Sequence, residues 1–245
     1  MKNTNGIPNG YQLVFDVRYQ IECKILEICK WFADNCPKGP AVIGISGGKD
    51  STVEAKLLVD ALGKDRVFGV LMPDGEQSDI ADSYEVVELL GIKYHVINIG
   101  EITAAVHKNV PVAFTPQADQ NLPPRIRMAT LYAVAQSLGG VVIGTGNASE
   151  LYLGWFTKWG DGAYDNNFIQ CYTATEVMQL GDALGLPERL VHKTPSDGLC
   201  GVSDEEKFGF SYQVLDEYIR GFAEPPADIK QKIDQMHENS EHKRR

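Results

Sequence analysis

Cysteine is scarce and unpatterned. The five cysteines, Cys23, Cys29, Cys36, Cys171 and Cys200, form an odd set with no Cys-x-x-Cys spacing, which argues against a disulfide framework or a zinc site and suits reduced thiols. No apolar run approaches about 18 residues, and Met1 to Gly10 is polar with no apolar core of a leader. Neither membrane insertion nor export is therefore expected, and the cytoplasm follows by elimination. Positive charge is in deficit too: 23 Lys and Arg stand against 33 Asp and Glu, a net of −10. A nucleic-acid-coating face and a polybasic membrane patch are both disfavoured, so any anionic ligand must be met by local groups.

What is present is enough apolar material for one substantial core, 43% of 245 residues. We expect residues 1–245 to form a single domain, with 223–245 as a charged helical tail that frays unless a partner holds it. Short β-branched runs alternate with helical patterns. Four strands are expected at 41–45, 67–71, 94–97 and 141–144, each apolar throughout and followed by a polar turn, as in strands buried on both sides. Helical periodicity fills about 19–33, 51–62, 80–90 and 126–138. This is an α/β chain: an open twisted parallel sheet with helices on both faces, whose ligand crevice lies beyond the carboxyl ends of the strands. Residues 154–167, rich in Gly, Asp and aromatics, read as an ordered functional loop. Thr173-Ala174-Thr175-Glu176 reads as a capping box, and Ser211 as the cap of a later amphipathic helix.

Chemistry enters directly after the first strand, at Ser46-Gly47-Gly48-Lys49-Asp50-Ser51. Backbone N–H groups and two hydroxyls converge there at a helix N-terminus, which favours an anion. Gly47 and Gly48 permit close backbone approach, and Asp50 sets a carboxylate among phosphates, which makes sense only with a divalent cation between them. The Walker A pattern is not met, since Ile43 and Asp50 stand where glycine and a hydroxyl residue are required. The Ser-Gly-Gly-x-Asp-Ser loop resembles instead the pyrophosphate loop of the ATP pyrophosphatase superfamily (adenine nucleotide alpha hydrolase-like, Rossmann-like in fold), enzymes that cleave ATP between the α and β phosphates.

Further segments resemble the NAD synthetase family: Gly144-Thr145-Gly146-Asn147-Ala148-Ser149-Glu150, the loop Gly154 to Gly162, Arg125-Ile126-Arg127-Met128, Leu186-Pro187-Glu188-Arg189-Leu190, and Lys193-Thr194-Pro195-Ser196-Asp197. That resemblance implies ATP contacts from Gly44, Ile45, Ser46, Gly47, Gly48, Lys49, Asp50 and Ser51, with Gln77, Thr145 and Ser196 added. It implies Mg2+ on Asp50 and Glu150, and deamido-NAD contacts from Arg125, Lys158, Asp165, His242 and Lys243. Asp50, Lys158 and Asp161 are the catalytic candidates, Lys158 for charge developing during adenylation and Asp161 for handling ammonium. The implied reaction is ATP-dependent amidation of deamido-NAD by ammonia through an adenylate, by a homodimer. Free ammonia is expected because glutamine as donor would need a further amidohydrolase domain. Two basic residues of the family pattern are missing, with Leu71 and Ala174 in their places, and Lys49 is offered as a partial replacement. Pro123-Pro124 replaces a less rigid segment. Rival readings are a GMP synthetase-like amidotransferase subunit and a nucleotide-binding regulator that has lost turnover.

Overall fold

The computed structural model describes residues 15–193 and 203–244. Four parallel strands, β1 (Ala41–Gly44), β2 (Val67–Leu71), β3 (Lys93–Val96) and β4 (Val141–Ile143), lie in the order β3-β2-β1-β4. Ala41 pairs with Val67 on one side and Val141 on the other, so β1 is central. The chain winds outward from β1 to β3 and then returns to place β4 on the other side of β1. The order therefore reverses between β1 and β4, where a doubly wound sheet opens a crevice.

Alternation along the strands feeds two cores. Ala41, Ile43 and Ile45 pack with Ile28 and Phe32 of α1 (Val17–Asn35) and with Val53 and Leu57 of α2 (Lys49–Leu62). Val42, Val70 and Val142 face the other way, onto Ile126, Leu131 and Ala135 of α5 (Pro116–Leu138). The helices α3 (Ile80–Leu90) and α4 (Gly100–Asn109) complete this part.

Three features differ from the sequence reading. The strand β3 is exposed rather than buried on both faces, because it is the sheet edge; Tyr94 and Val96 are 36% and 44% accessible. The helix α5 begins ten residues earlier than its apolar period, because Thr115 caps it by accepting from Ala118 N at 3.2 Å and Pro116 fits the first turn. Pro123 and Pro124 lie inside that helix. The tail does not fray: α11 (Ala227–Asn239) buries Ile233 completely against Phe208, Phe210, Tyr212 and Leu215. Enclosing one such side chain contributes about 1.5–3 kcal/mol.

Where α2 meets the 168–172 segment lies Glu54, fully enclosed. Its Oε1 accepts from Phe168 N at 3.1 Å and its Oε2 has no partner. Burial pushes its pKa up from 4.5 to about 8. The folded state then holds a proton that the unfolded chain releases, so this stability is present below about pH 4.5 and is lost as pH rises through about 8. In urea titrations from pH 5 to 9, Glu54→Gln is expected to gain on the parent by a few kcal/mol as pH rises. Parallel pH profiles for the two proteins would contradict the assignment.

Candidate functional site

The crevice at the reversal point is built from the segments that leave β1 and β4. After β1, Gly47 turns at φ +76°, and a Cβ there would sit 2.6 Å from Cβ of Asp82 in α3, so only glycine fits. Ser46 and Ser51 close the loop: their hydroxyl oxygens are 3.1 Å apart, Ser46 Oγ accepts from Gly48 N at 3.2 Å, and Ser51 Oγ donates to Gly48 O at 3.2 Å. The cap residue of α2 is Gly48, which offers no side chain to the helix N-terminus. An anion can therefore take the amides of that first turn.

After β4, Asn147 caps α6 (Ala148–Leu153) in a reciprocal box. Its side-chain oxygen accepts from Glu150 N at 3.0 Å, and Glu150 Oε2 accepts from Asn147 N at 3.0 Å. The same Asn147, itself buried, reaches across the crevice: its Nδ2 donates to Asp50 Oδ1 at 3.0 Å. One residue thereby fixes both candidate cation ligands, its side-chain amide on Asp50 and its backbone N–H on Glu150. Burial, and then the nearby Asp50 charge, push Glu150 up to about 8 against the opposing pull of Lys49. A desolvated carboxyl beside a second negative charge resists ionisation, and a divalent cation at Glu150 and Asp50 would relieve that conflict.

Lys49 already brings one positive charge. It is 5% exposed, its ammonium lies 2.7 Å from Asp50 Oδ2, and it sits 5.7 Å over the Tyr212 ring of α10 (Tyr212–Ile219). Burial works against its charge, but Asp50, Glu150 and Asp204 outweigh that and hold its pKa above the usual value.

A phosphate cradle tied through one asparagine to a second acidic residue, across the reversal point of a parallel sheet, narrows the candidate families sharply. Residues 25–245 match the family model described as NAD synthase. An NH(3)-dependent NAD(+) synthetase of Pyrococcus furiosus is 38% identical over 242 residues, covering 93% of this chain and 94% of that one. The chain belongs to the NAD synthase family. Among solved structures, NMN synthetase from Francisella tularensis aligns with a TM-score of 0.84 at 34% identity, over 92% of this chain and 96% of that one. NH3-dependent NAD synthetase from Campylobacter jejuni aligns at 0.79 and 27%, over 94% and 97%.

Within this member of the NAD synthase family, the remaining sequence-predicted residues fall into distinct groups. Thr145 follows β4 at the same crevice. Gln77 is tied to the wall beside the loop: its side-chain amide donates to Asp79 at 2.8 Å in the turn before α3, and Lys193, 2.8 Å from Asp79, also lies 2.7 Å from Asp82, the residue against Gly47. Ser196 lies outside the described residues.

The dinucleotide candidates Arg125, Lys158, His242 and Lys243 do come together. Arg125 Nε donates to Lys158 O at 3.3 Å, and the Lys158 ammonium donates to the His242 carbonyl. The Lys243 ammonium donates to Gly154 O at 2.7 Å and Phe156 O at 2.8 Å. Burial lowers the Lys243 pKa, with Asp161 opposing. Asp165 is engaged at the sheet edge, where Oδ2 accepts from Val142 N at 2.7 Å and Oδ1 from the Tyr132 hydroxyl at 3.4 Å. Asp161 accepts from Thr157 N at 2.9 Å, and burial raises its pKa. Its carboxylate thus shapes the 154–162 loop.

Sequence reasoning did not single out Asn147, Arg244 or Asp216. The first was legible as the Asn of an Asn-x-x-Glu box. Arg244 binds four acceptors: Leu151 O, Tyr152 O, Ser240 Oγ and His237 O, the last at 2.6 Å. Asp216 accepts from the Ser149 hydroxyl and from Thr175 N at 2.8 Å, joining α6, α7 (Ala174–Ala183) and α10. No local pattern announces Asp216, whose partners are 67 and 41 residues away, or the reach of Arg244 to Leu151 and Tyr152.

Proposed function

We propose that this chain amidates deamido-NAD with ammonia, using ATP. The nicotinate carboxylate attacks the α-phosphorus of ATP, pyrophosphate leaves, and ammonia then displaces AMP from the adenylate to give the amide. The observation that carries this reading is the Asn147 bridge, which binds Asp50 at the phosphate loop and Glu150 at the opposite wall. Carboxylate oxygen is a poor leaving group until it is adenylated, and in such a transfer the protein mainly positions reactants and neutralises phosphate charge.

The Ser46-to-Ser51 loop would hold the triphosphate through its amides and hydroxyls, with Thr145 on the neighbouring wall. Asp50 and Glu150 would hold Mg2+. Hard carboxylate oxygens suit that ion, and because no group of three acidic, histidine or cysteine ligands occurs among the described residues, phosphate oxygens and water would complete its shell. When bound, it would neutralise the phosphates. Lys158 and Arg125 would face the dinucleotide beside the tail residues His242 and Lys243. The 2.9 Å bond from Thr157 gives Asp161 a positioning duty in the same loop.

The resemblance to NMN synthetase from Francisella tularensis favours a second reading, in which the amide is made on a mononucleotide. One assay decides: AMP release from ATP and ammonia with deamido-NAD, nicotinate mononucleotide or xanthosine monophosphate as acceptor. Release that depends on deamido-NAD is the expected result. Turnover with the mononucleotide alone would select the second reading, and ATP binding without AMP from any acceptor would overturn both.

No described helix is long and apolar enough to cross a membrane, which is consistent with work in the cytoplasm. We also assign the exposed face of α1, with Tyr19 61% and Leu26 69% accessible, to a homodimer contact. Sedimentation should then give a dimer that Leu26→Asp weakens, and a monomeric parent protein would end that assignment.

A further inference from the structure

Arg127 projects from α5 over the carboxyl end of β2. Its Nε donates to Met72 O at 2.9 Å, and Met72 in turn lies against the last residue of β1, since a Cβ on Gly44 would meet Met72 Cε at 3.4 Å. The guanidinium is therefore held one residue beyond β2, beside the strand that ends in the phosphate loop.

A guanidinium has five N–H donors in a rigid fork. Among the described residues, Arg127 spends one of them. The carboxylates of Asp74 and Asp161 act on it at a distance, without an ion pair to either, while burial disfavours its charge. Asp161 also acts on Glu150 and Lys243, so Arg127, Glu150 and Lys243 lie around one carboxylate. Elsewhere in the molecule, desolvated cations are spent on protein partners: Lys49 on Asp50, Lys193 on Asp79 and Asp82, Lys243 on two carbonyls. A cation in short supply, partly stripped of water and left with its fork unused, is suited to an anion supplied from outside. Paired phosphate oxygens match the fork.

We propose that Arg127 is a phosphate-binding residue of the nucleotide site, its guanidinium gripping a phosphate of a bound nucleotide while the Met72 carbonyl holds its orientation. This assignment rests on the nucleotide-binding reading above. Two sources share the chemistry, the triphosphate of ATP and the diphosphate of the dinucleotide acceptor. Loss of a charge-assisted, two-pronged phosphate contact should weaken binding about 10- to 100-fold.

The test is titration calorimetry of the full chain and of Arg127→Gln and Arg127→Lys, with Mg2+ and ATP, and separately with deamido-NAD. Adenosine and nicotinate riboside serve as phosphate-free controls. The expected result is a weakening in that range for one nucleotide in Arg127→Gln, partial recovery in Arg127→Lys, and unchanged affinity for both nucleosides. The nucleotide affected names the source. Equal loss for nucleoside and nucleotide would show that Arg127 only props the Met72 segment, and unchanged nucleotide binding in both variants would sink the assignment while leaving the proposed reaction standing. A parent protein that binds neither nucleotide would remove both.

Discussion

Replacing Asp50 by asparagine is expected to lower AMP release by about three orders of magnitude, because the loss is of charge at a site where charge is neutralised in the transition state. Asparagine is the informative substitution. Its carbonyl can still accept from Asn147, whose 3.0 Å bond to Asp50 Oδ1 ties the two walls of the crevice together. Either substitution leaves the Lys49 ammonium, now 2.7 Å from Asp50 Oδ2 and 5% exposed, without its anionic partner, but alanine would break the bridge as well. Leaving a buried charge unpaired typically costs about 3–5 kcal/mol, so both variants lose stability and Asp50→Ala loses more. Steady-state turnover beside a urea melt separates these effects. If Asp50→Asn turned over like the parent, the whole reading of the loop as a triphosphate site would be lost. Lys49→Gln belongs to the same experiment: it should raise KM for ATP about tenfold, since the positive charge that offsets Asp50 beside the phosphates disappears.

The second large effect is expected at Gly154, far from the phosphates in sequence. This residue ends α6 in the left-handed region at φ +69°, where a side chain is strained, and a Cβ there would lie 2.0 Å from Cβ of Ser240. Gly154→Ala must therefore push Ser240 away. Ser240 is the pivot of the tail: its hydroxyl accepts from Arg244 at 2.8 Å, and Arg244 in turn binds the carbonyls that end α6. Those contacts are favourable at a helix C-terminus, whose unpaired carbonyls carry partial negative charge. We expect Gly154→Ala to destabilise the tail by about 2–4 kcal/mol, in the range of a core defect. Faster amide exchange throughout α11 and a higher KM for the acceptor should accompany it, because the Lys158 ammonium is held by the His242 carbonyl. Exchange at the parent's rate in α11 would show that the tail tolerates the displacement.

The two sites are linked by α6. Glu150 stands in its first turn at the crevice and Gly154 at its end under the tail, a helix of 6 residues joining the acidic pair to the strap. Asp216 holds the first turn of that helix through Ser149. Tail docking and the placement of Glu150, a candidate cation ligand, therefore share one helix.

Local chemistry made the phosphate loop legible. The run Ser46 to Ser51 needs a strand before it, a helix after it and glycine at a positive φ, and all three requirements are written in neighbouring residues. The same holds for β1, β2 and β4, whose apolar runs match buried parallel strands, and for the Thr173 capping box, which forms with Thr173 N donating to Glu176 at 2.8 Å. The period that marked 126–138 could not reveal the earlier half of α5, where Pro123 and Pro124 interrupt the expected pattern but the helix continues. Nor could an apolar run say which strand is an edge. Exposure of β3 is decided by the order of strands, which depends on crossovers between residues far apart in the chain.

The sequence by itself thus determined the α/β class, the strand-turn-helix form of the Ser46–Ser51 loop and the family, because each is a matter of local periodicity or of an unbroken motif. Tertiary structure alone decided that Asn147 bridges Asp50 to Glu150, that Lys49 is consumed by its neighbour, and that the charged tail is anchored by Ile233 and Arg244. The bridge and the anchor join segments far apart along the chain. Whether such groups meet depends on the packing of the whole core, and the desolvation that raises the proton affinity of Glu150 exists only once that core has closed.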